Sequence, residues 1–392
     1  MSTYMPLLLV QEKVNQAFEA GKVVCGLYLD LRKAFDTVNQ TILLKKLYAY
    51  GIRGNALMML ESYLEGRTQC VEVEHVRSSL ASVDIGVPQG SILGPLLFLI
   101  YINDFPSISD DLTAYLYADD TAIFIEGNDE AHLQRVIDAT MPEIVAWLQA
   151  NQLSLNTDKT FCQLYNNTKR DVNVSVMLSG AHIKFVKTVK YLGMYVDDDL
   201  KWKSHISHLS TTLTRNVGLI SRARYILVPK QLLLLYNALF LPYINYCCML
   251  YSNTYITNVD KLEKLQKRAV RMIDGEHRLA HTAPIFKKLK ILKLRDIGKQ
   301  QMLLLMHRKL KGTLPSSIDR LFTILEPLRD TRSTHHFHEF FSEKFYRSYT
   351  TRWSAPRIWN SIIAPKFTDM EAVPLTKREI KDFSKQFFID QY

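Results

Sequence analysis

Two acids side by side at residues 119 and 120 constrain this chain more than any other stretch of its 392 residues. They sit between the apolar runs 114–117 and 121–125, so the pattern predicts two strands and a turn that presents Asp119 and Asp120 at its tip. An Asp pair on a turn is ordinary, and a solvated turn explains it alone. A second acidic strand end changes the reading. Val23-Val24-Cys25-Gly26-Leu27-Tyr28-Leu29 is an apolar run that predicts a buried strand, and it delivers Asp30 to a sheet edge. Three carboxylates converging from neighbouring strands can hold two divalent ions ~3.5–4 Å apart, the arrangement used for in-line phosphoryl and nucleotidyl displacement. Hard oxygen donors of this kind suit Mg²⁺.

The residues around these acids add a specific likeness. Leu29-Asp30-Leu31-Arg32-Lys33-Ala34-Phe35-Asp36-Thr37-Val38, then Val87-Pro88-Gln89-Gly90-Ser91-Ile92-Leu93-Gly94-Pro95-Leu96-Leu97-Phe98, then Tyr117-Ala118-Asp119-Asp120 occur in that order. In wording, order and spacing they resemble the A, B and C motifs of reverse transcriptases. Together with Leu153-Ser154-Leu155-Asn156-Thr157-Asp158-Lys159-Thr160 and Tyr191-Leu192-Gly193, they resemble the non-LTR (LINE-like) retrotransposon branch, near the jockey and CR1-type elements. The likeness is strong over residues 23–195 and thinner to about residue 294.

The resemblance implies an α+β polymerase right-hand palm, an antiparallel sheet with helices on one face, then a helical thumb and a basic helical C-terminal region. It assigns residues 1–196 to a palm with a remnant of fingers, 197–283 to the thumb and 284–392 to a region of unassigned role. It implies an RNA-directed DNA polymerase that takes an RNA template, a DNA primer and deoxynucleoside triphosphates, with two Mg²⁺ ions for which Mn²⁺ could substitute. Asp30 and Asp119 would be the indispensable metal ligands, with Asp120 a lesser one and the Leu31 carbonyl assisting. Phe35 would be the steric gate that leaves no room for a 2′-hydroxyl; the plain reading of a Phe there is core. Gln89 and Gly90 would contact the incoming nucleotide and template. Lys159 would protonate pyrophosphate, against the plain reading of an exposed lysine. Tyr191, Leu192 and Gly193 would form the primer grip. Asp36 reads as a cap or ion-pair partner rather than a ligand.

Charge is divided unevenly. Residues 1–160 carry 11 Lys and Arg against 20 Asp and Glu, whereas residues 161–392 carry 38 against 19. A basic half is by itself only a soluble surface; beside a metal-binding acidic half it suits a phosphate backbone. Five cysteines without C-x-x-C spacing predict a reduced, intracellular chain, nuclear or cytoplasmic, and no targeting signal is recognised. The apolar stretch 226–251 is interrupted by Lys230, Gln231, Asn237, Pro242 and Asn245, so it predicts packed helices and no membrane partner.

Helical spacing predicts helices over 39–50, 55–64, 91–104, 130–150, 204–225, 230–239 and 258–273. In the last, Val259, Leu262, Leu265, Ala269 and Met272 would form the buried face, opposite Lys261, Lys264, Lys267, Arg268 and Arg271. Alternation predicts a half-exposed strand over 69–76 paired with 81–87, and further strands at 161–165, 175–178 and 189–196. Asp197-Asp198-Asp199 reads as a solvated loop. Thr334-His335-His336-Phe337-His338 lacks the partners and spacing of a structural zinc site.

Only 29 residues precede Asp30, with Lys13 and Lys22 as their basic groups, whereas the family carries a basic fingers region there. The chain is therefore expected to begin inside the family's domain. The competing expectation is a catalytically silent remnant acting as a basic RNA-binding protein. A viral RNA-dependent RNA polymerase fits less well, since those usually place Gly before the Asp pair.

Overall fold

The computed structural model describes residues 2–167, 171–325, 336–339, 350–366 and 376–392. The chain divides into two compact units, Gln16–Leu192 and Met1–Asn15 with Gly193–Tyr392. The division falls inside Tyr191-Leu192-Gly193. A helix not foreseen in the sequence, α1 (Tyr4–Glu19), opens the chain.

The unit Gln16–Leu192 contains β1 (Val23–Leu29), α2 (Gln40–Ala49), α3 (Asn55–Leu64), α4 (Leu93–Ile102), β6 (Leu112–Tyr117), β7 (Asp120–Gly127), α5 (Glu130–Ala150) and β8 (Phe161–Tyr165). Short strands complete it: β2 (Thr68–Gln69), β3 (Glu72–Val73), β4 (Val76–Arg77), β5 (Ala81–Ser82), β9 (Met177–Leu178), β10 (Ala181–His182), β11 (Lys184–Phe185) and β12 (Thr188–Tyr191). Its main sheet has the order β11-β8-β1-β7-β6. The expected antiparallel pairing holds throughout except at the edge, where β11 runs parallel to β8.

Strand β1 is buried on both faces, and its alternation separates two chemistries. Cys25, Leu27 and Leu29 join Ile123 and Ile125 in an apolar core with Leu133, Ile137, Met141, Ile144 and Leu148 of α5. The opposite face carries aromatic rings: Tyr28 lies 6.1 Å from Phe124, and Phe124 lies 6.2 Å from Tyr165. Gly26 makes this layer possible, since a Cβ there would sit 2.9 Å from the Tyr165 ring. Two helix starts follow capping chemistry. Asn39 accepts from the Ile42 N–H at 2.9 Å to open α2, and Asp129 accepts from the His132 N–H at 2.8 Å to open α5.

The expected strand over 69–76 is a correction. It breaks into β2 and β3, with positive φ at Glu74 and His75 turning the chain so that β3 pairs with β4 and β2 with β5. Val71, Val73 and Val76 alternate with acids, yet all three remain exposed. Alternation reports burial only where a core faces it.

The second unit is helical after β13 (Met194–Asp197). Its helices are α6 (Lys203–Ala223), α7 (Pro229–Leu239), α8 (Leu241–Asn245), α9 (Cys248–Tyr251), α10 (Ile256–Asp274), α11 (Ala283–Leu289), α12 (Leu294–Leu310), α13 (Ser316–Asp319), α14 (Thr351–Ile362) and α15 (Lys377–Asp390). In α10 the expected Val259, Leu262 and Ala269 are buried, but Leu265 and Met272 are only half-buried. Gln266, Val270 and Ile273 complete the face instead. The Gln266 amide donates to the Tyr236 hydroxyl at 3.0 Å and the Leu292 carbonyl at 2.9 Å, and its oxygen accepts from the Leu294 N–H at 3.0 Å. Buried polar atoms are tolerated when they are paired in this way.

Asp197 is likewise not solvated. It is buried, and its carboxylate accepts from the Ser204 N–H at 3.1 Å near the start of α6. Among the described residues no helix is long and apolar enough to cross a membrane. All five cysteines are free thiols. Of the histidine run, Thr334 and His335 lie outside the described residues.

Candidate active site

Strands β6 and β7 pair through to Tyr117 opposite Asp120, leaving Ala118 and Asp119 as the two turn residues. Ala118 turns the chain with φ +53°. Next to this hairpin, β1 runs antiparallel to β7 with Leu29 opposite Thr121. One further step along that register sets Asp30 across from Asp120, on the face that carries Tyr28 and Phe124. The sheet therefore brings all three acids to one corner, with Asp119 and Asp120 exposed and Asp30 half-buried.

Electrostatics agrees with the register. Although Asp120 is exposed as a residue, partial burial of its carboxyl, followed by the charges of Asp119 and Asp30, holds that group above its ordinary range. Burial also raises the Tyr191 hydroxyl, with Tyr28 and then Asp120 adding to the effect. Tyr191 lies 5.3 Å from Tyr28, ring to ring, so part of the expected primer-grip turn borders the acids. Tyr191 and Leu192 are buried, while Gly193 is exposed with φ +76°.

Residues 154–160 fix the end of β1. The Asp30 carbonyl accepts from the Asn156 N–H at 2.8 Å, and the Arg32 N–H donates to the Ser154 carbonyl at 2.8 Å. The Asp30 N–H donates to Thr160 Oγ1 at 3.3 Å, and that hydroxyl donates to the Asn156 carbonyl at 2.9 Å. Leu31 is buried and bridges to Leu155. Lys159 is the exposed residue before Thr160. Asn156 and Thr160 are positioning residues that the motif pattern contained but that the sequence reading did not single out.

Phe35, Asp36, Gln89 and Gly90 form a second cluster in which two loops are clasped. Gln89 Nε2 donates to Asp36 Oδ1 at 2.6 Å, and the Val87 N–H donates to the Phe35 carbonyl at 2.9 Å. Gly86 has φ +86°, and a Cβ there would lie 2.8 Å from the Asp36 carbonyl oxygen, so a side chain would push the loops apart. Phe35 is half-buried, its ring 4.7 Å from Phe98. Gly90 is exposed with φ +78°. Ser91 accepts from the Gly94 N–H at 2.9 Å just before α4, although the residue at the helix start is Ile92 and not the expected Ser91.

The donor set suits a divalent cation: carboxylate oxygens in mutual repulsion, with no protein cation paired to them among the described residues. As placed, no group of three or more His, Cys, Asp or Glu among the described residues is gathered closely enough to enclose an ion.

Residues 2–196 match the reverse transcriptase (RNA-dependent DNA polymerase) family, and this segment is a reverse transcriptase domain. It is homologous to those of non-LTR retrotransposons. The chain is 28% identical over 301 residues to the RNA-directed DNA polymerase from mobile element jockey of Drosophila melanogaster, covering 72% of this chain and 32% of the relative. It is 26% identical over 302 residues to the probable RNA-directed DNA polymerase from transposon X-element of the same species, covering 73% and 32%. The chain thus spans about a third of the length of these curated relatives. A Candida albicans telomerase structure with a TWJ fragment of telomeric RNA overlaps 75% of this chain and 55% of its own, at 13% identity and a TM-score of 0.39. A score that low supports no argument about the site.

Proposed function

We propose that this chain supplies RNA-directed DNA polymerase activity to a non-LTR retrotransposon protein, extending a DNA primer with deoxynucleotides along an RNA template. The observation that carries the reading is the register of β1 against β7, which sets Asp30 across from Asp120 and beside Asp119. On this reading the unit Gln16–Leu192 is the palm and the helices after Gly193 begin with the thumb.

Asp30 and Asp119 would hold two divalent ions, Mg²⁺ or Mn²⁺, with Asp120 and the Leu31 carbonyl contributing. Such ions, when bound, lower the pKa of a primer 3′-hydroxyl and neutralise the triphosphate and departing pyrophosphate. Phe35, backed by Phe98, would exclude a 2′-hydroxyl by occupying its space. Gln89, held by Asp36, and Gly90, open to backbone approach, would line the nucleotide and template. Lys159 would donate the proton to pyrophosphate, and Tyr191, Leu192 and Gly193 would steady the primer end.

The test is Mg²⁺-dependent extension of oligo(dT) on poly(A), supplied in parallel with dTTP or UTP. Preferential dTTP incorporation is the expected result. Preferential UTP incorporation would indicate an RNA polymerase, and template binding without extension would indicate a silent RNA-binding chain.

A further inference from the structure

In the helical unit, Arg224 at the end of α6, Arg268 and Arg271 on α10, and Arg278 in the following loop line a single cleft of about 630 Å³. Ser221 and Glu276 share its walls, so four arginines and one glutamate line the cleft. The Arg271 Nε–H donates to the Ala280 carbonyl at 2.7 Å, which ties the loop back onto α10. Arg224, Arg268 and Arg278 are exposed. A guanidinium is a planar fork of donors that matches phosphate oxygens two at a time. Lys261, Lys264 and Lys267 stand outside the buried face of α10 and extend the positive charge along it.

Beside this cleft stands an aromatic ring. Tyr225 is 77% exposed, its ring centre 4.8 Å from the Arg224 guanidinium, and Arg224 donates to its hydroxyl at 2.8 Å. An exposed ring held at the rim of an arginine cleft combines the two elements that bind unpaired nucleic acid: phosphate neutralisation and a surface for base stacking.

We propose that the α6–α10 arginine cleft grips successive phosphates of an unpaired RNA segment while one base stacks on Tyr225. The choice of RNA as the anion rests on the polymerase reading, but the cleft is tested by binding alone. A chain that binds RNA here without polymerising would overturn that reading and leave this one standing.

The full chain is titrated against a short unpaired RNA by fluorescence anisotropy over a series of salt concentrations. Arg268→Gln with Arg278→Gln should weaken binding at least about tenfold and reduce the slope of log K against log salt by about 1.4, at roughly 0.7 per lost single-strand phosphate contact. Tyr225→Ala should weaken binding by roughly 5- to 100-fold with an unchanged salt slope, and Tyr225→Trp should restore it. Arg378→Gln with Lys381→Gln removes the same charge from α15 and should leave both affinity and slope unchanged. The proposal is overturned if the cleft variant behaves like this control, or if Tyr225→Ala has no effect. It is also overturned if blunt duplex RNA binds as tightly as the unpaired strand, or if the same arginines serve phosphatidylserine vesicles in preference to RNA.

Discussion

In the sheet unit the acids are kept apart from the apolar core and stand at strand ends: Cys25, Leu27, Leu29, Ile123 and Ile125 inside, Asp30, Asp119 and Asp120 at the corner. In the helical unit polar groups go inward, with Gln266, His205 and Asp197 all buried, while arginines collect on the surface. The difference teaches where each unit is vulnerable. A polar substitution at the sheet corner should change the proposed chemistry and leave the core alone. The buried polar groups of the helical unit change stability and leave the chemistry alone.

The largest effect expected from this contrast is at the hairpin. Asp119→Asn should lower primer extension by roughly 10³-fold or more while RNA affinity stays unchanged, because on the proposed reading a metal ligand is lost and no packing is. Retention of about a tenth of the rate would break the assignment. The helical counterpart is Gln266→Leu, which strands the Leu292 carbonyl, the Leu294 N–H and the Tyr236 hydroxyl. It should cost about 3 kcal/mol or more of stability by denaturant titration. A loss below about 1 kcal/mol would show that the buried amide is not a structural staple.

His205 supplies a pH test of similar size. Burial, then the nearby His208, lowers its imidazole from 6.5 to about 4, and among the described residues neither ring nitrogen has a hydrogen-bond partner. The unfolded chain therefore binds the proton more tightly than the folded one. The stability from keeping this ring neutral is fully present above about pH 6.5 and is lost as pH falls toward 4, by about 3 kcal/mol in all. His205→Phe should flatten that part of the stability–pH curve; an unaltered slope would place the acid sensitivity elsewhere. The smallest effect is Phe35→Ala, which should raise ribonucleotide use relative to deoxynucleotide by about tenfold. An unchanged ratio in a folded variant would leave Phe35 as a packing partner of Phe98 only.

The same contrast explains what could be read in advance. Residues 114–125 form their hairpin through near neighbours, so turn and strands were legible, and so were Phe161–Tyr165, Asn55–Leu64 and Glu130–Ala150. The three acids were legible as a group because strand direction alone brings them to one sheet edge. Residues 69–76 misled because alternating valines mark a strand face without saying whether a core lies beneath. Gln266 and Asp197 were missed because burial of a polar side chain depends on partners distant in sequence: Tyr236, Leu292 and Leu294 for one, the start of α6 for the other. The arginine cleft was half visible, since Arg268 and Arg271 stood in the basic stripe of α10. Nothing local joined Arg224 or Arg278 to them.

On the proposed reading, an acid from β1 and acids from the β6–β7 hairpin share one site for the divalent ions. Calorimetric titration of Mn²⁺ into the chain at pH 7, beside Asp30→Asn and Asp119→Asn, tests it most directly. The account predicts one set of binding heats that both substitutions abolish. Proton release on binding should grow as pH falls toward the carboxylate range, because burial, then Asp119 and Asp30, raise the Asp120 carboxyl. Unaltered Mn²⁺ binding by Asp30→Asn, with binding lost in Asp119→Asn, would contradict it by showing that the β1 carboxylate does not share the hairpin's site.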